Sequence, residues 1–473
     1  MRYVAVAAGF DGTLAKDGRC DQRCIEALRM LAATGRKLIL VTARALRELL
    51  EIFPEARIFD YVIAENGAVM HRPAERVSSI LAEAPSETLL RELRARSVRP
   101  LGVGSSIVTM SRDCEDTVRE VLRRLRLEHQ VFANDSTLMI LPPDVDKASG
   151  VAAALRELGL SAHNLVAVGD APNDLALFRL AEHGVAVANA DPSLKALASR
   201  ITQAAYCDGF VEIADQIMKD DLMSAAPRHR LLLGRDGAGE ELILRPFQDS
   251  LLIVGPVGSG KRALCRALLD RLSTVHYQCC VIAAEMNEQS TLRRGLVSCG
   301  ASHEVPRLTD VMQVMEQPDV GVFVNVAGLS VEGRLAFTEA LLLQLQALHD
   351  RAGRPHVIFV LDAHAQFPLG AVPEATGRLS ETTLIYTTTS VEMLPSGVLA
   401  GFRNVIEVGD ARSKPSREFA RAVPFTLSDL PDLPAKWLSR AAAVGPPQAM
   451  IGGRASAASC ASLEVTESAA SGY

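Results

Sequence analysis

Aromatic side chains are scarce in this sequence, at 4% of 473 residues, and there is a single tryptophan, Trp437. That scarcity argues against grooves that hold sugars or single-stranded nucleic acid by stacking. No charge of one sign dominates. Fifty basic residues against 56 acidic ones give a formal net charge of -6, which exerts no global pull toward DNA, RNA or an anionic membrane. Nucleic acid is therefore not expected as a partner. The nine cysteines lack zinc or redox spacing: Cys20 and Cys24 are four apart on an expected helix, and Cys279 and Cys280 adjoin in an apolar run. An odd count of this kind fits reduced, buried thiols. No apolar stretch reaches the ~20 residues that span a bilayer, and no leader is evident, so a cytoplasmic chain with no membrane partner is expected.

What is present is a 48% hydrophobic, globular composition on a chain long enough for two or three domains. Near-continuous apolar strands alternate with amphipathic helices over residues 1–70 and again over 145–218: Tyr3–Ala8, Lys37–Val41, Tyr61–Ala64, Asn164–Val168 and Gly184–Val187 read as strands. This is the pattern of a parallel sheet covered on both faces, a Rossmann-like α/β fold. Residues 71–144 differ, with charged helices at Leu89–Arg96 and Glu115–Leu127 and strands with one wet face, which predicts an inserted α/β unit with an antiparallel sheet. Arg119, Arg123, Arg124 and Arg126 read as a solvated helix face. A linker is expected at 219–230, a second α/β domain over 231–432, and a mostly disordered tail rich in Ala, Ser and Gly over 433–473.

Chemistry-bearing residues of the first block fall at strand ends, where a doubly wound sheet opens its crevice. Gly9-Phe10-Asp11-Gly12-Thr13-Leu14 follows the first strand, Thr42 and Arg44 the second, and Gly169-Asp170-Ala171-Pro172-Asn173-Asp174 the strand ending at Val168; Lys147 opens the helix after the insert. A hydroxyl (Thr42) and an ammonium (Lys147) can hold phosphate oxygens. Asp170 and Asp174, four apart at a turn, can hold Mg²⁺. Asp11 can protonate a leaving alkoxide and then activate water.

This constellation resembles the haloacid dehalogenase superfamily, in particular its Cof-type phosphatases with a cap inserted between the second and third motifs. The family's Asp-x-Asp-Gly-Thr-Leu aligns with Gly9 to Leu14, its threonine with Thr42, its lysine with Lys147 and its Gly-Asp-x-x-Asn-Asp with Gly169 to Asp174; Glu65-Asn66-Gly67-Ala68 looks like the turn before the cap. The resemblance implies a small phosphorylated ligand, met also by Arg44, Asn66 and Asn173, and Mg²⁺ as cofactor. It implies too that the first aspartate attacks phosphorus and ligates the metal. Gly9 can do neither, so weakened Mg²⁺ binding and weak or lost hydrolysis are expected.

The second block carries Gly255-Pro256-Val257-Gly258-Ser259-Gly260-Lys261-Arg262 between an apolar strand and a helix, the setting of a phosphate-cradling loop. It resembles P-loop NTPases, the HerA/FtsK-like group among them, over roughly residues 245–410. The resemblance implies that Gly255, Gly258, Ser259, Gly260, Lys261, Arg262 and Asp362, at the end of the apolar run Val357–Leu361, bind ATP or another nucleotide. Here too a catalytic detail departs: Arg262 stands where a Ser or Thr would hold Mg²⁺, and Ala363 and His364 follow Asp362 where an acidic residue is usual. Arg262 could neutralise phosphate in the metal's place.

The expectation is a phosphatase-like protein with a fused P-loop domain that binds a phosphorylated ligand, a nucleotide, or both, with turnover weak or lost. One alternative is an active Mg²⁺-dependent phosphomonoesterase on a sugar phosphate or phosphoglycolate. Another is an ATP-binding DNA-processing or motor ATPase regulated by the first domain. A homo-oligomer is a further partner the P-loop resemblance allows.

Overall fold

The computed structural model describes residues 1–134, 136–223, 225–235, 241–286, 291–368, 382–402, 404–408, 450–453 and 462–463. The chain forms two compact units, one of residues 3–225 and one of residues 226–473 with residues 1–2. Most of the tail at 433–473, expected to be disordered, lies outside the described residues. Its described pieces, Met450–Gly453 and Ser462–Leu463, are strands paired with Asn404–Val408.

The first unit is built on an eight-stranded sheet. Its order is Arg200–Ile201, His183–Ala186, Leu165–Gly169, Ala5–Gly9, Lys37–Val41, Tyr61–Ala64, Val69–Arg72 and Val77–Ile80. The first six run parallel and the last two antiparallel. Ala5–Gly9 lies at the centre and is buried throughout, which is why its sequence has no polar alternation. The helix Gln22–Ala33 packs through Cys24, Ile25, Leu28 and Leu31 and is capped by Asp21, whose carboxylate accepts from the Arg23 N–H.

The hairpin Val69–Arg72/Val77–Ile80 extends this sheet, so the inserted unit, expected from residue 71, begins beyond Ile80. A single apolar strand end looks the same whether the chain leaves the sheet or folds back on it; only the pairing tells them apart. Within the insert, Gly102–Val103, Val108–Ser111, Thr137–Leu141 and Gln130–Asn134 form a four-stranded antiparallel sheet. Helices Glu87–Ala95 and Glu115–Leu125 bury Leu89, Leu93, Val118 and Leu122 in one core with Val108, Met110, Leu138 and Ile140. The chain returns at Lys147–Leu158, a helix started by a capping box between Asp146 and Ser149 and stopped at Gly159. The last helix, Tyr206–Asp220, runs two residues into the expected linker.

The second unit has a sheet ordered Val297–Cys299, Val322–Asn325, Cys279–Ala283, Val357–Val360, Thr383–Thr388, Leu251–Val254 and Asn404–Val408, all parallel, with Met450–Gly453 antiparallel at the edge. Helix Lys261–Thr274 packs Leu264, Leu268 and Leu272 into the core that also holds Leu251, Ile253, Val281 and Phe359. Both units are α/β layers on a largely parallel sheet. Among the described residues no helix is long and apolar enough to cross a membrane.

Candidate phosphate-binding sites

In the first unit, the carboxyl ends of three neighbouring strands bring Gly9, Thr42 and Asp170 together. The Thr13 hydroxyl donates to Asp170 Oδ1 at 2.8 Å. Gly12 adopts φ +76°, and a β-carbon there would lie 1.9 Å from Asp170 Oδ2, so only glycine lets the loop pass this carboxylate. Asn189 holds the loop from outside, donating to the Gly12 carbonyl at 2.8 Å and accepting from the Tyr206 N–H at 2.8 Å.

Lys147 and Asp174 form a buried ion pair at 2.7 Å. Lys147 Nζ also donates to Asn173 Oδ1 at 3.1 Å, and Asn173 Nδ2 donates to Asn66 Oδ1 at 3.1 Å. Asp174 Oδ2 accepts from the backbone N–H groups of Asp170 and Ala171 at 3.0 and 3.1 Å. Both oxygens of Asp174 are thus engaged. Asp170 is the more available carboxylate. Burial, helped by the charge of Asp174, pushes its pKa up to about 6 against the pull of the Thr13 hydrogen bond and Lys147.

Thr42 is buried and its hydroxyl accepts from the Arg44 N–H at 3.1 Å. The Arg44 guanidinium grips Asp11 with two bonds, Nε to Oδ2 at 2.7 Å and Nη2 to Oδ1 at 2.8 Å, and also pairs with Glu48. Asp11 holds this arginine's pKa above its ordinary value. Glu65, buried in the turn before the insert, accepts from the backbone N–H groups of Ser105 and Ser106, both at 3.0 Å.

The residues fit a divalent cation in part. Asp170 is a half-buried carboxylate at the strand ends, with Oδ1 taken by the Thr13 hydroxyl, of the oxygen-donor type a divalent cation takes. Asp174 is committed to Lys147 and two amides, and Gly9 contributes no carboxylate. Any Mg²⁺ would rest mainly on Asp170 and water.

In the second unit, Leu251–Val254 runs into the loop 255–260 and then into the helix Lys261–Thr274. Gly258 and Gly260 sit at φ +80° and +96°, and Lys261 Nζ folds back onto the carbonyl oxygens of Gly255 and Pro256 at 2.5 and 2.8 Å. Burial lowers the pKa of Lys261. Arg262 reaches Glu285 Oε2 at 3.3 Å and Asp362 Oδ2 at 3.5 Å. The Asp362 N–H donates to Thr387 Oγ1 at 2.8 Å, and His364 Nδ1 lies 3.2 Å from Thr388 Oγ1. Glu285 was not singled out by the sequence; it follows the apolar strand Cys279–Ala283, at the same sheet edge as Asp362.

The sequence profile of haloacid dehalogenase-like hydrolases matches residues 6–94 and 106–213. Among curated proteins, the phosphoglycolate phosphatase of Methanothermobacter thermautotrophicus is 32% identical over 221 residues, spanning 45% of this chain and 98% of that protein. That of Haloarcula marismortui is 32% identical over 215 residues, spanning 43% of this chain and 92% of the relative. Among solved structures, a haloacid dehalogenase-like hydrolase from Bacteroides thetaiotaomicron aligns at TM-score 0.42 and 21% identity, covering 46% of this chain and 99% of that one.

Proposed function

This chain belongs to the haloacid dehalogenase-like hydrolase family, and on that premise we propose that its first unit binds a small phosphorylated ligand and turns it over weakly or not at all. The observation that carries the reading is Gly9, a residue without a side chain at the tip of the central strand. An aspartate there would attack phosphorus. Asp11 is no substitute, because it lies beyond the strand, in the turn that folds Leu14 back onto Gly9, and its carboxylate is clasped by Arg44. Loss of a covalent nucleophile lowers rates by several powers of ten, roughly 10⁴–10⁶.

The binding half of the site is intact in chemical type. Thr42, Lys147 and Asn173 supply a hydroxyl, an ammonium and an amide, and Asn66 and Arg44 flank them. The ligand class follows from the relatives called phosphoglycolate phosphatase: a small phosphomonoester, phosphoglycolate among the candidates. Mg²⁺, held chiefly by Asp170, would add positive charge at the phosphate. The test is a calorimetric titration of the full chain with 2-phosphoglycolate and with glycolate, alongside phosphate release. Binding of the phosphorylated compound alone, with release at background, supports the reading. Rapid release, or no binding of either, rejects it.

The second unit is read as a P-loop domain that binds a nucleotide or another polyphosphate. Support comes from the glycine-rich loop between strand and helix, from Lys261 poised over it, and from Asp362 at the end of a nearby strand. With no hydroxyl at position 262 and no acidic residue after Asp362, hydrolysis there is expected to be slow.

A further inference from the structure

We propose that Arg262 supplies from within the chain the positive charge that a loop of this kind takes from a divalent cation, so that the second unit binds polyphosphate without metal. The inference rests on the reading of residues 255–261 as a phosphate-binding loop.

The residue after the loop lysine ordinarily offers a hydroxyl to Mg²⁺. Arg262 has no oxygen to offer. Its guanidinium instead extends to the two carboxylates at this sheet edge, Glu285 at 3.3 Å and Asp362 at 3.5 Å. A metal bound there would meet the guanidinium lying between the two carboxylates that would have to hold it. The residues therefore do not fit Mg²⁺ in its usual place beside the loop.

They fit an anion better. The Glu285 side chain is 5% exposed and its backbone is fixed by Asn325, which accepts from the Glu285 N–H at 3.0 Å and donates to its carbonyl at 2.8 Å. Glu285 thus anchors one side of the guanidinium. Both contacts are long for charge-assisted bonds, and the Asp362 side chain is the more exposed of the two, 34% against 5%, so its place on the guanidinium is the one a phosphate oxygen can take. A guanidinium carries five donors, enough to keep Glu285 and take phosphate together. Lys261 donates to two neutral carbonyl oxygens at the loop, with the charge of Asp362 near enough to act on it. Arginine and lysine both belong to the first turn of the helix, whose N-terminus favours negative charge.

The experiment titrates the full chain with ATP and with inorganic tripolyphosphate, each in EDTA and in excess Mg²⁺, for the native protein, Arg262→Thr and Arg262→Lys. Folding is checked by circular dichroism. The native chain is expected to bind in EDTA as tightly as in Mg²⁺. Arg262→Thr should lose about ten- to a hundredfold in EDTA and recover with Mg²⁺, because it trades charge-assisted bonds for the missing hydroxyl. Arg262→Lys should stay independent of metal. Equal affinity for ATP and tripolyphosphate assigns recognition to the phosphates; a preference for ATP adds the nucleoside. Native binding that requires Mg²⁺, or Arg262→Thr binding as tightly as native in EDTA, overturns the inference and leaves the P-loop reading standing. Failure of every folded form to bind either anion in both conditions removes that reading, and the inference with it.

Discussion

The Thr13 hydroxyl donates to Asp170 Oδ1 at 2.8 Å and fills the space beside Gly9: a β-carbon built on Gly9 would lie 2.9 Å from Thr13 Oγ1. The absence of a side chain at residue 9 is thus matched by its neighbour. Any larger residue at position 9 must turn Thr13 by a few tenths of an ångström or more, which loosens its bond to Asp170.

Replacing Lys147 by methionine should destabilise the first unit by about 3–5 kcal/mol, because it leaves the buried Asp174 carboxylate without its cation. Urea denaturation followed with a probe in that unit measures the loss. The double variant with Asp174→Asn should recover part of it, since the uncompensated charge is then gone. The single variant should also lose affinity for a phosphorylated ligand. A stability unchanged by Lys147→Met would contradict the burial argument.

How far the sequence alone carried this picture depended on range. Gly9, Asp11, Thr42 and Asp170 stood out because they follow apolar runs, and strand ends of a parallel sheet converge; Asp174 stood out by its spacing from Asp170, and Lys147 by opening the helix after the insert. The α/β character was legible for the same reason. Partnerships across long separations were not. Glu65 was visible as a turn residue, yet its carboxylate is used by amides 40 and 41 residues away. Asn189 joins Gly12 to Tyr206, and nothing local announces either bond; its place after the strand His183–Ala186 was the one available signal. The hairpin at 69–80 was assigned partly to the insert because pairing, which composition does not encode, decides its sheet.

Asp170 gives the first unit a pH dependence of definite sign. Its folded pKa of about 6 lies above the ordinary carboxylate value, so the fold prefers the protonated form. Its contribution to stability therefore falls as pH rises from about 4 through about 6, and the penalty is complete above that. Asp170→Asn should raise the melting temperature near neutral pH and change it little near pH 4, by scanning calorimetry at both. Mg²⁺ needs the ionised form, so its affinity for the native site should decline as pH drops below about 6. A Mg²⁺ affinity that is flat across this range would show that Asp170 is not its main ligand.

Glu65→Gln should loosen the entry of the insert. The glutamine keeps one carbonyl oxygen for two backbone donors and turns an NH₂ toward the other, a loss of about 1.5–3 kcal/mol in charge-assisted bonding. Hydrogen exchange at Ser105 and Ser106 should speed up, while the central strand Ala5–Gly9 stays protected. Equal protection of both amides in the variant would mean that the carboxylate does not hold them.

The most direct measurement compares Mg²⁺-dependent hydrolysis of an aryl phosphate by the native chain and by Gly9→Asp, in one preparation series. The account predicts background release for the native protein and a rise of about a thousandfold or more for the variant, as a carboxylate regains the tip of the central strand. Native turnover at ordinary enzyme rates, on the order of 1–10³ s⁻¹, would contradict it.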